Sequence, residues 1–174
     1  MTFKSKKFKI IMGVLISLIV LTLVIGISSD DDSSEIESTK VSLEVITDNW
    51  YERNETFGGY DLLLGNFSED NVASIGHSGN IVLSFSGNEK DIRNYTTIVR
   101  NGYAENNIEE LAIILGIMIT APLQENPSLT LSDIENLKDY VETETDFDAQ
   151  GHQIRFSGDK SDTFYMHVYI NAGD

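Results

Sequence analysis

Residues 81–99 read IVLSFSGNEKDIRNYTTIV, and residues 152–170 read HQIRFSGDKSDTFYMHVYI. In the first stretch Ile81–Phe85 has the β-branched and aromatic content of a strand, SGNEKD has turn chemistry, and 92–99 read as a second strand. The second stretch repeats the design 71 positions later: Phe85-Ser86-Gly87-Asn88 and Asp91 match Phe156-Ser157-Gly158-Asp159 and Asp162 as F-S-G-[N/D]-x-x-D. The flanks agree in type, Leu83 with Ile154, Tyr95 with Met166, Thr97 with Val168 and Val99 with Ile170. This predicts one hairpin used twice. The competing explanation is that Gly, Asn and Asp recur in tight turns for purely local reasons.

Two helices are predicted between the hairpins. The first runs from Asn107 to Ala121, capped by Asn106 or Asn107, with Glu109 and Glu110 at its positive end. Its centre, Leu111–Ile119, is apolar on every side, which calls for burial all round and a central place in the fold. The run is too short to span a bilayer, and a membrane-dipping segment is its alternative reading. The second helix is expected to start at Ser132 through a capping box with Glu135. Ile134, Leu137 and Val141 would line its inner face, and Glu135, Lys138, Asp139 and Glu142 its wet one.

Upstream, VSLEVIT (41–47) alternates Val41, Leu43 and Val45 with polar neighbours, the pattern of a half-buried strand. Residues 47–80 carry Trp50, Tyr51, Phe57, Tyr60 and Phe67 and read as loop with a short strand near Tyr60–Leu64. The expected fold class is therefore α+β. It is a two-layer domain in which an antiparallel sheet, two similar hairpins plus an N-terminal strand, packs on two helices.

The N-terminal region sets the expected location. Residues 10–27, IIMGVLISLIVLTLVIGI, contain no charge and follow Lys4, Lys6, Lys7 and Lys9. As a helix they would be about 27 Å long, close to the hydrocarbon thickness of a bilayer. The predicted organisation is a cytoplasmic basic segment (1–9), a transmembrane helix or uncleaved signal anchor (10–27), an acidic serine-rich stalk (28–40) and an extracytoplasmic domain (41–174). The alternative is a secreted domain cut near Gly26-Ile27-Ser28.

Four of the 12 basic residues precede the apolar run, so the remainder carries 8 basic against 28 acidic side chains. That field repels nucleic acid and anionic headgroups, and nucleic acid is excluded as a partner. There is no cysteine, hence no disulfide, thiolate metal site, cysteine nucleophile or acylated cysteine.

No catalytic motif is complete. Gly76-His77-Ser78-Gly79 lacks the spacing and the following helix of a nucleophile elbow and reads as a turn into Ile81. A zinc pair from His152 and His167 would split the core: Ile154 and Phe156 must share a face with Phe164, Met166, Val168 and Ile170. That register sets His152 opposite Val168 and turns His167 to the other face. Two weak cation candidates exist. Asp146, Asp148 and Gln150, with Gly151 next, follow the opening of a calcium loop whose twelfth position, Ser157, lacks the required glutamate. The hairpin acids and amides, Asn88 with Asp91 and Asp159 with Asp162, form the other, with side-chain-to-backbone turn bonds as the competing role. No cofactor is implied. The expected function is a membrane-anchored, non-enzymatic module that binds a protein or cell-envelope component, its ligand unspecified. An enzyme with a site within 47–80, or an accessory subunit of a membrane complex, are the alternatives.

Overall fold

The computed structural model describes residues 40–57, 61–123 and 129–170. The basic segment, the apolar run 10–27, all of the stalk but Lys40, and Tyr60 lie outside the described residues. In chain order the elements are α1 (Leu43–Phe57), β1 (Val72–Ile75), β2 (Ile81–Asn88), β3 (Asp91–Val99), α2 (Tyr103–Asn106), α3 (Ile108–Thr120), α4 (Leu131–Thr143), β4 (Phe147–Ala149), β5 (His152–Gly158) and β6 (Phe164–Tyr169). The strands form one antiparallel sheet ordered β1-β2-β3-β6-β5-β4. The α+β class is as expected. The sheet has six strands, because both expected hairpins gain a short outer strand, β1 and β4.

The hairpin repeat is geometric as well as textual. Phe85 pairs with Tyr95 and Phe156 with Met166, so both hairpins hold one register at an offset of 71. The first closes through a bulge between Ser86 and Gly87; the second closes with a longer loop after Gly158. Gly87 (φ +107°) and Gly158 (φ +92°) occupy the same place, and a Cβ on either would sit 2.4 or 2.2 Å from a backbone carbonyl oxygen, of Asp91 or Thr163. Only glycine fits there. Where β3 meets β6, Thr96 pairs with His167, its own counterpart 71 positions on. A local two-fold axis therefore passes between these two residues, and each half of the sheet is a three-stranded meander.

The helix α3 is buried from Leu111 to Thr120, as its unbroken apolar run requires. On one side the sheet residue Thr97 donates a hydrogen bond to Met118 Sδ at 2.9 Å. On the other, Gly116 lets α4 approach, a Cβ there lying 3.2–3.3 Å from Leu129, Ile134 and Leu137. No helix among the described residues is long and apolar enough to cross a membrane.

Three expectations are corrected. Residues 43–47 belong to α1, not to a strand. Ser42 caps this helix, its Oγ accepting from Val45 N–H at 3.3 Å, and Ile46, Trp50 and Arg53 make the buried stripe at helical spacing. A charged residue in that stripe masked the 3.6 period. Val41 and Leu43 keep strand-like contacts with the first hairpin, the Val41 carbonyl accepting from Ile92 N–H at 2.8 Å and Leu43 N–H donating to the Glu89 carbonyl at 2.7 Å. The second correction concerns α4, which starts two residues early. The capping box is Thr130 with Asp133, not Ser132 with Glu135: Thr130 N–H donates to Asp133 Oδ2 at 2.7 Å, and Asp133 N–H to Thr130 Oγ1 at 3.3 Å. Third, within 61–64 only Leu64 bridges to another strand residue, Ile75, while the real strand of this region is β1.

Candidate functional site

The sheet has one face toward the helices and one away from them. Leu83, Tyr95, Thr97, Val99, Ile154, Met166 and Val168 point inward and are buried. The alternate residues point out, and the register sets them in three rows. The middle row is Val72, Ser84, Thr96, His167 and Arg155. Ser74, Val82, Ile98, Tyr165 and Ser157 flank it on one side. On the other stand Ser86, Asn94, Tyr169, Gln153 and Asp148. Against the 28 acidic residues of the chain, Asp148 is the one acid in these rows.

Side chains of the second half are tied together. His167 Nδ1 lies 3.0 Å from Thr96 Oγ1 and its Nε2 lies 2.9 Å from Ser157 Oγ. Either neutral tautomer satisfies both hydroxyls, since each can donate or accept. Partial burial lowers the His167 pKa, and the charge of Asp146 opposes this. Tyr165, His167 and Tyr169 stand in a row along β6 with ring centroids 5.9 and 6.2 Å apart. The Arg155 guanidinium lies 5.8 Å from the Tyr169 ring centroid. It makes no ion pair or hydrogen bond among the described residues.

Ser157 and His167 are at the distance of a nucleophile and its base. Behind the imidazole stands a threonine rather than a carboxylate. Arg155 leans toward Tyr169, away from the row that holds Ser157, so no cation faces the hydroxyl from these rows. The arrangement orients and donates hydrogen bonds but offers no charge to a developing oxyanion.

No protein-family model, curated protein or solved structure matches the chain.

The residues singled out in the sequence are spread apart. Asn88 Oδ1 accepts from Lys90 N–H at 2.9 Å, and Asp159 Oδ1 accepts from Ser161 N–H at 2.8 Å, the turn-forming role. The Ser161 hydroxyl also donates to Asp159 Oδ1, at 2.7 Å, and this bond and the backbone one hold the Asp159 pKa down. Asp91 and Asp162 sit beside them in the two turns. Val99 at the far end of β3 pairs with Phe164 at the start of β6, so the two turns lie at opposite ends of the sheet. Asp146 Oδ1 accepts from Phe156 N–H at 3.0 Å. Asp148 is on edge strand β4 opposite Gln153. Gln150 (φ +53°) and Gly151 (φ +77°) form a two-residue hairpin turn with both residues left-handed, so the calcium-like letters end in a β-turn between β4 and β5. No group of three or more His, Cys, Asp or Glu able to hold a metal ion occurs among the described residues.

Ser78 Oγ accepts from Asn80 N–H at 3.2 Å, as expected of a turn. In the 47–80 region Trp50 Nε1 donates to the Leu62 carbonyl at 2.8 Å, Tyr51 to the Leu64 carbonyl at 2.8 Å, and Phe67 packs edge-on against Phe85. These aromatics hold the chain together. The two histidines lie on opposite faces as expected, but Ile154, not His152, is opposite Val168. His152 is buried, neither ring nitrogen completes a hydrogen bond, and burial lowers its pKa against a partial offset from the Ile119 carbonyl. The residues that sequence reading missed are Thr96, Ser157, Arg155, Tyr165 and Tyr169. Applying the 71-residue offset to the outward positions would have exposed them.

Proposed function

We propose that this protein is a membrane-tethered extracytoplasmic binding module whose working surface is the open face of the sheet. The observation that carries the reading is the composition of that face. Interface centres lose charged residues and gain Tyr and Arg relative to the remaining surface. Here a strongly acidic chain presents a face with one acid, two tyrosines, a histidine and an arginine within cation–ring range of a tyrosine. The tether rests on the apolar run 10–27, with lysines on one side and acids on the other.

The experiment places a photo-crosslinking amino acid at Tyr169, or at Glu135 on the outer surface of α4, in the full-length protein in its native membranes. A discrete adduct from position 169 and none from 135 is expected. Adducts from both, or from 135 alone, contradict the reading. Protease added to intact cells tests the location: a domain that stays intact until the cells are lysed overturns it.

A further inference from the structure

The local two-fold lets one half of the sheet serve as a reference for the other. At the 71-residue offset most inward positions keep their type, Ile81 and His152 excepted, while the outward ones, apart from Ser86 and Ser157, diverge. Ser84 corresponds to Arg155, Asn94 to Tyr165, Thr96 to His167, Ile98 to Tyr169 and Val82 to Gln153. One fold position thus carries small or neutral side chains in the first half and large, aromatic or cationic ones in the second. Strand pairing does not demand the second set, because the first half holds the same register without it.

We propose that the second half of the open face docks a protein partner by taking a carboxylate of that partner onto Arg155, with Tyr169 and His167 beside it. This rests on the reading of the open face as the binding surface. Arg155 has no ion pair among the described residues of a chain of net charge −16, and its guanidinium lies 5.8 Å from the Tyr169 ring centroid, within cation–ring range. A guanidinium matches a carboxylate with two parallel hydrogen bonds. The field of the whole domain repels polyanions, so nucleic acid and highly charged polymers are disfavoured. A single carboxylate on a neutral or basic protein surface escapes that penalty. The rings on β6 stand side by side, Tyr165 and His167 only 4° from parallel with centroids 5.9 Å apart, beside the guanidinium that would take the carboxylate.

The test is an NMR titration of the full-length protein with the peptide acetyl-Gly-Glu-Gly-amide and its glutamine counterpart at equal ionic strength. The glutamate peptide is expected to shift Arg155 Nε–H, Tyr169 and His167, with at least a tenfold weaker response to the glutamine peptide. Arg155→Ser, the residue type of position 84, should abolish the shifts while the melting temperature stays unchanged. Equal responses to both peptides, no response, equal shifts at Arg100 and Lys138, or a stronger response to maltotriose would each overturn the proposal. None of those outcomes touches the crosslinking test, so failure of the carboxylate site and failure of the binding face are told apart.

Discussion

Replacing either hairpin glycine by alanine should cost far more than the same change at Gly79 or Gly151, two other left-handed glycines. In Gly158→Ala the new methyl lies 2.2 Å from the Thr163 carbonyl oxygen and 2.9 Å from the Tyr165 ring, at φ +92°. Gly87→Ala meets the Asp91 carbonyl oxygen at 2.4 Å with φ +107°. Both angles lie outside the left-handed well open to alanine, and the oxygen must move by about 1 Å to reach ordinary contact. Backbone strain together with displacement of a paired strand end amounts to about 3–5 kcal/mol. Gly79→Ala (φ +68°) and Gly151→Ala (φ +77°) meet nothing within 4 Å, so only the conformational cost of about 1–2 kcal/mol remains. For a domain of this size the first pair should lose about 10–15 °C of melting temperature and the second about 3–6 °C. Thermal melts of the full-length protein, with urea midpoints as a cross-check, measure this. If Gly158→Ala and Gly151→Ala melted together, the two hairpin turns would not have the shared geometry on which the duplication argument rests.

Thr130→Ala should cost about 1 kcal/mol and Ser132→Ala within about 0.5 kcal/mol of nothing in urea unfolding, because Thr130 is the cap. Tyr95→Phe should be neutral or stabilising by up to about 1 kcal/mol, since the buried Tyr95 hydroxyl has no hydrogen-bond partner among the described residues and burial raises its pKa. His152 binds its proton less readily folded than unfolded. Its effect is therefore absent above the ordinary histidine pKa, and stability falls as pH drops below about 6.5 toward the lower folded value. His152→Leu should shrink the loss of urea midpoint between pH 7.5 and 5, and an equal loss in both proteins would refute this. Asn49→Ala should cost about 1–2 kcal/mol, because its Nδ2 donates to the Ala121 and Leu123 carbonyls at 2.7 and 3.0 Å and ties α1 to the end of α3.

The parts of the fold that were legible are those whose reading is local. The hairpins announce themselves because turn residues set the register, and α3 does so because nine successive positions are apolar. Helix α1 was misread because three alternating residues, Val41, Leu43 and Val45, outweighed a buried stripe that ends in Arg53, only 2% exposed. Strands β1 and β4 were missed because three or four residues carry too little periodicity to stand out. The site was hidden for a different reason. Thr96, Ser157 and His167 are 61 and 10 residues apart and meet only through the pairing of β3, β6 and β5. The repeat contained that register, but the outward residues differ between its halves, so matching like with like passed over them.

Hydroxyl-radical footprinting of the full-length protein in its native membranes and after purification tests the central claim most directly, with Tyr51, 42% exposed on α1, as the internal standard. Oxidation of Tyr165, His167 and Tyr169 should fall several-fold in the membranes relative to the purified protein, while Tyr51 reacts alike in both. Equal oxidation of the β6 residues in the two preparations would show that nothing occupies the open face.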